Sequence, residues 1–430
     1  MSLSTMFMTA IDPDSVQWIR EAPLATLIHP LDRGEFVADY WESRVLHTRG
    51  DRDRYAGMLT LARAEALLHG GQGPRLLRLV RDGVNVSPEA YRRTRQLSRD
   101  RELRDTLDLG RTWQHFAAGS SIIIQHVELC DEPAASLRDA LEAEIQHRVE
   151  VHAFLAPSAN QRCGLPMHSD PISAFILQLE GRRRWRIFER RRVPLPHERG
   201  QIPEPGRCLL DVELEPGDGL YIPRGHVHEV SSVGVVSLHL TVGVRVTTIH
   251  DVLEQVLRQR FEELVALPET RAALPFGWVR SPSSSPEITA ALGQVRDLAE
   301  RPVAVSTIEA AVDQLGVRLI RGGQVTGPTS LVQAQMLSQL LPRDTVLRRR
   351  RFLFAVQSDP VTDELILVLP CEDWRVPPRW RSGVEFVLRS NDPFRVDELP
   401  THQSDDPREL AQELVASGLV ELSAPMTGAP

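Results

Sequence analysis

The stretch from Met167 to Gly243 constrains this chain most, because it reads as a succession of short strands broken by tight turns. Phe175-Ile-Leu-Gln-Leu179 runs into the turn Glu180-Gly181 and leaves it through Arg182-Arg-Arg-Trp-Arg-Ile-Phe188. Side chains alternate along a strand, so Arg183, Trp185 and Ile187 share one face and Arg184, Arg186 and Phe188 the other. Leu214-Glu-Pro-Gly-Asp218 is a second turn signal, followed by Leu220-Tyr-Ile-Pro-Arg-Gly225 and His226-Val-His228. Val235 to Gly243 alternates Ser237, His239 and Thr241 with Leu238, Leu240 and Val242. The pattern predicts small-barrel β structure whose cavity faces the polar set, with the apolar set packed outside.

At the head of this stretch stands His168-Ser169-Asp170. An imidazole and a carboxylate two residues apart on an extended segment point to the same side. A second imidazole brought across a sheet, with His228 as the candidate, completes a two-histidine, one-carboxylate set. Such a set covers one face of an octahedron and leaves the other positions open, the arrangement associated with non-haem Fe(II) that activates oxygen.

Four blocks in this order, H-x-D, F-I-L-Q-L-E-G-R-R-R-W-R, P-G-D-x-L-Y-I-P-R-G-x-x-H and S-L-H-L-T-V-G, resemble the JmjC-type cupin oxygenases. Within them the chain is most similar to the ribosomal oxygenase branch, which hydroxylates residues of ribosomal proteins with Fe(II) and 2-oxoglutarate. Phe36, Tyr40, Trp41 and Glu42 leading into Val45 to Thr48 also resemble the entry to this family. The resemblance implies an α+β fold. Its core is a double-stranded β-helix with flanking helices, followed by a helical middle region and a C-terminal winged-helix-like domain. Matched residue by residue, it makes His168, Asp170 and His228 the metal-ligating and catalytic set, in preference to His226 beside the Pro-Arg-Gly turn. Arg183 falls where the family places a basic residue that grips the distal carboxylate of 2-oxoglutarate. A guanidinium suits that task because it offers two parallel donors and stays charged when enclosed. The competing reading is a solvated arginine in an arginine-rich strand. Thr241, on the cavity-facing register, is expected to join Arg183 in binding the cosubstrate. For His239 and Thr241 alike, an interior hydrogen bond or a substrate contact is the alternative, and Trp185 reads as core. The chain departs from the family in the strand Val151 to Pro157, with His152, Phe154 and Ala156 where Asn, Tyr and Thr are usual. Two hydroxyls that bond cosubstrate are thereby missing. The link to His168 also holds Gln161, Arg162 and Cys163.

At 430 residues the chain is long enough for two or three domains. Its 42% hydrophobic and 25% charged content is that of a globular protein. It contains no lysine, so all 50 basic residues are arginine. Schiff-base chemistry through this chain is therefore excluded. Cys130, Cys163, Cys208 and Cys371 are scattered with no close pair, which argues against a zinc ribbon or disulfide framework and for a reducing cytoplasm. No secretory signal and no membrane-spanning run is expected.

Residues 1–14 read as a loose leader. Helices are expected after Asp32, from Thr60 to His69 with Gly70-Gly71 as a stop, from Ser87, and from Ser136 to Ile145, with a buried strand between Ser120 and Val127. Residues 1–246 form the oxygenase domain in this reading. In 247–345, Asp251 is expected to cap a helix with Leu253, Leu257, Phe261 and Leu264 on one stripe. Ser281 to Pro286 reads as a joint, and further helices follow near Ile308–Leu315 and Leu331–Leu341. This middle region either forms a homodimer, as the resemblance implies, or an intramolecular bundle. In 346–430, strands are expected at Phe352–Val356, Leu365–Leu369 and Val384–Leu388, then a helix from Pro407 to Ala416. That segment holds 10 Arg against 14 Asp plus Glu, a net of −4, which opposes direct nucleic-acid binding.

The function expected is a 2-oxoglutarate-dependent oxygenase that hydroxylates a side chain of a protein or peptide, foremost a ribosomal protein. The alternatives are the same chemistry on a biosynthetic peptide or small metabolite, and a non-catalytic metal-binding cupin scaffold.

Overall fold

The computed structural model describes residues 16–69, 76–158, 167–190, 192–195, 204–279, 285–323, 334–335, 337, 339–359, 361–402 and 405–423. The leader 1–14, the Gly70-Gly71 stop, the segment with Gln161, Arg162 and Cys163, most of the joint after Ser281 and five of the eleven residues of Leu331–Leu341 lie outside them. The chain divides into two compact units. The first comprises Met1–Val246, Thr326–Phe354 and Val376–Pro430, the second Thr247–Val325 and Ala355–Arg375.

In the first unit the strands are β1 (Leu46–Thr48), β2 (Leu77–Arg81), β3 (Val84–Asn85), β4 (Arg92–Ser98), β5 (Arg101–Leu107), β6 (Ser121–Ile124) and β7 (Arg148–Ala156). They continue with β8 (His168–Ser169), β9 (Ser173–Glu180), β10 (Arg183–Phe188), β11 (Cys208–Leu214), β12 (Gly219–Ile222), β13 (Val227–Ser232) and β14 (Ser237–Arg245). An eight-stranded sheet in the order β1-β12-β9-β14-β7-β6-β2-β3 faces a four-stranded sheet, β11-β10-β13-β8. This is the double-stranded β-helix of a cupin.

Alternation sorts the side chains as the sequence predicts. On β14, Leu238, Leu240, Val242 and Val244 are buried in an outer core with Leu137 and Leu141 of the helix Glu132–Ile145. Between the sheets, Ala174, Ile176, Trp185, Ile187, Leu214, Leu220 and Ile222 form a second core. Phe175 and Leu177 go outward and Ile176 inward, so one strand serves both. The turn from β9 to β10 needs Gly181, whose φ is +63° and whose Cβ would lie 2.0 Å from the carbonyl oxygen of Val236. The Pro-Gly-Asp turn before β12 is closed by Asp218, whose carboxylate accepts from the Glu215 amide at 3.0 Å.

Several expectations are corrected. The helix expected from Ser87 is one 3-10 turn, Pro88–Ala90, followed by the β4–β5 hairpin. Arg92 to Ser98 offers no apolar residues at helical spacing to bury, so a helix there would gain nothing from packing. The helix expected from Ser136 begins at Glu132, capped by Asp131 onto the Ala134 amide. Strand β11 was not anticipated; its exposed edge residues blur the alternation.

In the second unit the helix Ile249–Val265 is capped by Thr248, and Asp251 is its reciprocal partner at the third position rather than the cap itself. It packs on the helix Val305–Arg321, where buried Gln255 donates to Gln314 at 2.6 Å and accepts from Arg318 at 3.0 Å. Leu253, Leu257 and Phe261 lie exposed on the same helix, as do Leu292 and Val295 on Pro286–Ala299. A three-stranded sheet is formed by β16 (Ala355–Ser358), β17 (Leu365–Val368) and β18 (Asp373–Arg375).

The expected strand Val384–Leu388 is a helix, Arg381–Arg389. Gly383, Val384 and Val387 fall on one buried side at helical spacing, and a Cβ at Gly383 would lie 2.3 Å from Leu410 of the helix Pro407–Ala416. Close helix packing therefore decides this segment over its β-branched composition. Beside these helices, β15 (Val346–Arg349), β19 (Phe394–Arg395) and β20 (Val420–Leu422) make a second three-stranded sheet. No helix among the described residues is long and apolar enough to cross a membrane.

Candidate metal centre and cosubstrate cavity

The centre is assembled by strand register. β8 and β13 pair antiparallel with His168 directly opposite His228, and their ring centroids are 4.2 Å apart. Asp170 follows β8, and its carbonyl accepts the Gly225 amide at 2.8 Å, so the loop before β13 holds the residue in place. Asp170 Oδ2 lies 3.7 Å from His168 Nε2 and 3.6 Å from His228 Nε2. These separations exceed a hydrogen bond. The three ligand atoms converge, all within 4.8 Å, without closing on one another. A cation fits that donor set, and two nitrogens with one carboxylate oxygen suit a first-row divalent metal.

The imidazole of His228 is prepared for that task. Its Nδ1 donates to the His226 carbonyl at 3.1 Å, which turns the Nε2 lone pair toward Asp170. Burial, then the neighbouring His168, lower its pKa to about 4, so the ring is neutral near pH 7. His226 is placed differently: its Nδ1 is bonded to the Phe188 carbonyl at 3.0 Å, and it is not part of the converging group.

A cavity of about 240 Å³ opens beside the centre. Arg183, 3% exposed, lines it and donates from Nη1 to Ser232 Oγ at 3.0 Å. Ser232 is the register partner of Arg183 on β13, so the serine that orients the guanidinium is set by strand pairing. A guanidinium at a cavity wall presents parallel N–H donors to whatever enters. A carboxylate entering the cavity matches their geometry. Thr241 lines the same cavity, opposite His152 in the β7–β14 register.

Three features of the wall escaped sequence reasoning. Ser232 could have been found only from the register. His152 accepts from the His126 amide at 3.0 Å and its Nε2 lies 3.3 Å from Glu150, so it belongs to a polar cluster between β6 and β7. Phe154 stacks on His239 with centroids 4.9 Å apart and an interplanar angle of 5°. The alternation of β14 signalled that His239 faces inward; its stacking partner was not visible.

Residues 124–252 match the JmjC domain family. Among curated relatives, human ribosomal oxygenase 1 is 31% identical over 314 residues, covering 67% of this chain and 46% of the relative. The bifunctional lysine-specific demethylase and histidyl-hydroxylase NO66 of Aedes aegypti is 27% identical over 327 residues, covering 71% and 48%. The chain thus spans about half the length of these relatives. Among solved structures, the Escherichia coli ribosomal oxygenase YcfD superposes with a TM-score of 0.52 at 18% identity, over 91% of this chain and 98% of that one. The same protein in complex with cobalt and 2-oxoglutarate gives 0.51 at 19% identity, over 92% and 99%.

Proposed function

We propose that this chain, which holds a JmjC-type cupin domain and is similar to the ribosomal oxygenases, is an Fe(II)- and 2-oxoglutarate-dependent oxygenase. It hydroxylates a side chain of a protein substrate, with a ribosomal protein as the foremost candidate. One observation supports this above the rest: His168, Asp170 and His228 converge in the same cavity as the buried guanidinium of Arg183. Iron held there would supply the chemistry of oxygen activation coupled to decarboxylation of 2-oxoglutarate to succinate.

The chain's own part is holding and orienting. His168, Asp170 and His228 would hold the metal through two imidazole nitrogens and one carboxylate oxygen. Arg183, steadied by Ser232, pairs the distal carboxylate, and Thr241 is a further cosubstrate-binding group in this reading. Ala174, Ile176, Ile222 and Val230 form apolar walls that keep water from the reacting atoms. The test is conversion of 2-oxoglutarate to succinate by the iron-loaded protein, followed by mass spectrometry of ribosomal proteins for one added oxygen. No succinate under any substrate condition would refute the reading. Phe154 and Ala156, which offer no hydroxyl to the cavity, leave open a second substrate class, a biosynthetic peptide or small metabolite. Succinate without modified ribosomal protein would point there.

The same reading extends to the rest of the chain, divided as 1–246, 247–345 and 346–430. The sheet β15, β19 and β20 with helices Arg381–Arg389 and Pro407–Ala416 supports a winged-helix-like C-terminal module. Its net charge of −4 supports protein contacts rather than nucleic acid. The exposed Leu253, Leu257 and Phe261 support a homodimer through the middle region, and scattered cysteines support a cytoplasmic setting.

A further inference from the structure

The interior face of β14 holds a histidine to which the reading above gives no task. His239 is 3% exposed and lines the cavity that also contains His168, Asp170, His228 and Arg183. Its Nδ1 is buried and has no hydrogen-bond partner among the described residues. A buried polar nitrogen left this way is costly, and such exceptions concentrate where a ligand or water completes the bonding. The ring is not loose. Phe154 covers one face in a parallel stack, and Trp185 meets it edge-on with centroids 5.5 Å apart. The indole Nε1 of Trp185 likewise lacks a partner.

Burial, then the charge of Arg183, depress the His239 pKa well below its ordinary value, so the ring is neutral and holds one N–H. A guanidinium from β10 and a neutral N–H from β14 thus line one cavity from facing sheets, close enough for the charge of one to act on the other, with Phe154 and Ala156 contributing no hydroxyl. A carboxylate is the chemistry such a pair accepts.

We propose that His239 is a second binding group for the distal carboxylate of the keto-acid cosubstrate, donating its N–H beside Arg183 and held in place by the Phe154 stack. The proposal rests on the oxygenase reading and adds a residue to it. It explains how a site lacking two hydroxyls keeps its grip: the donor comes from β14 rather than from β7.

The test is equilibrium binding to the full-length, Mn(II)-loaded protein without oxygen. Two ligands are compared: 2-oxoglutarate, and 2-oxopentanoate, which has a methyl group in place of the distal carboxylate. His239→Phe keeps the stack and removes the nitrogens. It should weaken 2-oxoglutarate about tenfold or more, the value of one charge-assisted hydrogen bond, and leave 2-oxopentanoate within about twofold. His239→Gln, which retains an N–H, should recover part of the loss. Equal weakening of both ligands would mean a structural role, and no weakening of either would mean no contact; each overturns the proposal. Wild-type protein that binds neither keto acid would instead bring down the oxygenase reading. Should His239→Phe not fold, the wild-type ring can be followed by NMR after ¹⁵N-histidine labelling, with diamagnetic Zn(II) in place of Mn(II). An exchange-protected ring N–H should appear with 2-oxoglutarate and not with oxalate, and its failure to appear counts against the proposal.

Discussion

At the scale of single residues, the contrast between two histidines two positions apart is the sharpest. His228 Nε2 faces Asp170 because its Nδ1 is engaged by the His226 carbonyl, whereas the His226 ring is tied to Phe188. Titration with Mn(II) followed by electron paramagnetic resonance should therefore show Asp170→Ala and His228→Ala losing affinity by more than about a hundredfold, beyond the usual effect of groups around a metal's ligands. His226→Ala should retain most of it. Loss in His226→Ala with retention in His228→Ala would reverse the assignment. For Arg183→Glu, reversal of the charge opposite the distal carboxylate should raise the 2-oxoglutarate concentration for half-maximal succinate formation by about a hundredfold or more. An unchanged requirement would move the carboxylate site elsewhere. The H-x-D spacing singled out His168 and Asp170 as candidates, and the family resemblance added His228 and Arg183. Ser232 was legible from neither, because it sits 49 positions from Arg183 and meets it only through the β10–β13 register.

At the scale of elements, β14 works on two fronts. Its inward residues line the cavity, while Leu240, fully buried, anchors the outward face between Ala153 of β7 and Leu177 of β9. Leu240→Ala should lower stability by about 2–5 kcal/mol through lost burial and a residual void, read as a lower denaturant midpoint with unchanged slope. A shift under about 1 kcal/mol would show that the site collapses around the smaller side chain. Alternation made this strand readable. The same logic failed at Val384–Leu388, where β-branched and aromatic residues suggested a strand. Val384 and Val387 lie one helical turn apart on the side where Gly383 meets Leu410. Propensity is a weak prior when a close helix contact is available.

At the scale of the whole molecule, the exposed face of Ile249–Val265 bears on assembly. Leu257 and Phe261 are one turn apart and more than half exposed, an arrangement that costs solubility unless another surface covers it. On the proposed homodimer, the wild-type protein should sediment as a dimer and Leu257→Arg with Phe261→Arg as a monomer, with succinate formation as the control for an intact centre. A dimer that survives both changes would shift the interface to another face. The sequence by itself determined the strand faces and the candidate pair His168 and Asp170, since period-two alternation and a short H-x-D spacing are local properties that need no partner. The tertiary structure alone decided which distant residues meet: His228 opposite His168, Ser232 beside Arg183, Phe154 on His239. The reason is physical, because strand register and the packing of one sheet against another are set by burial summed over the whole barrel.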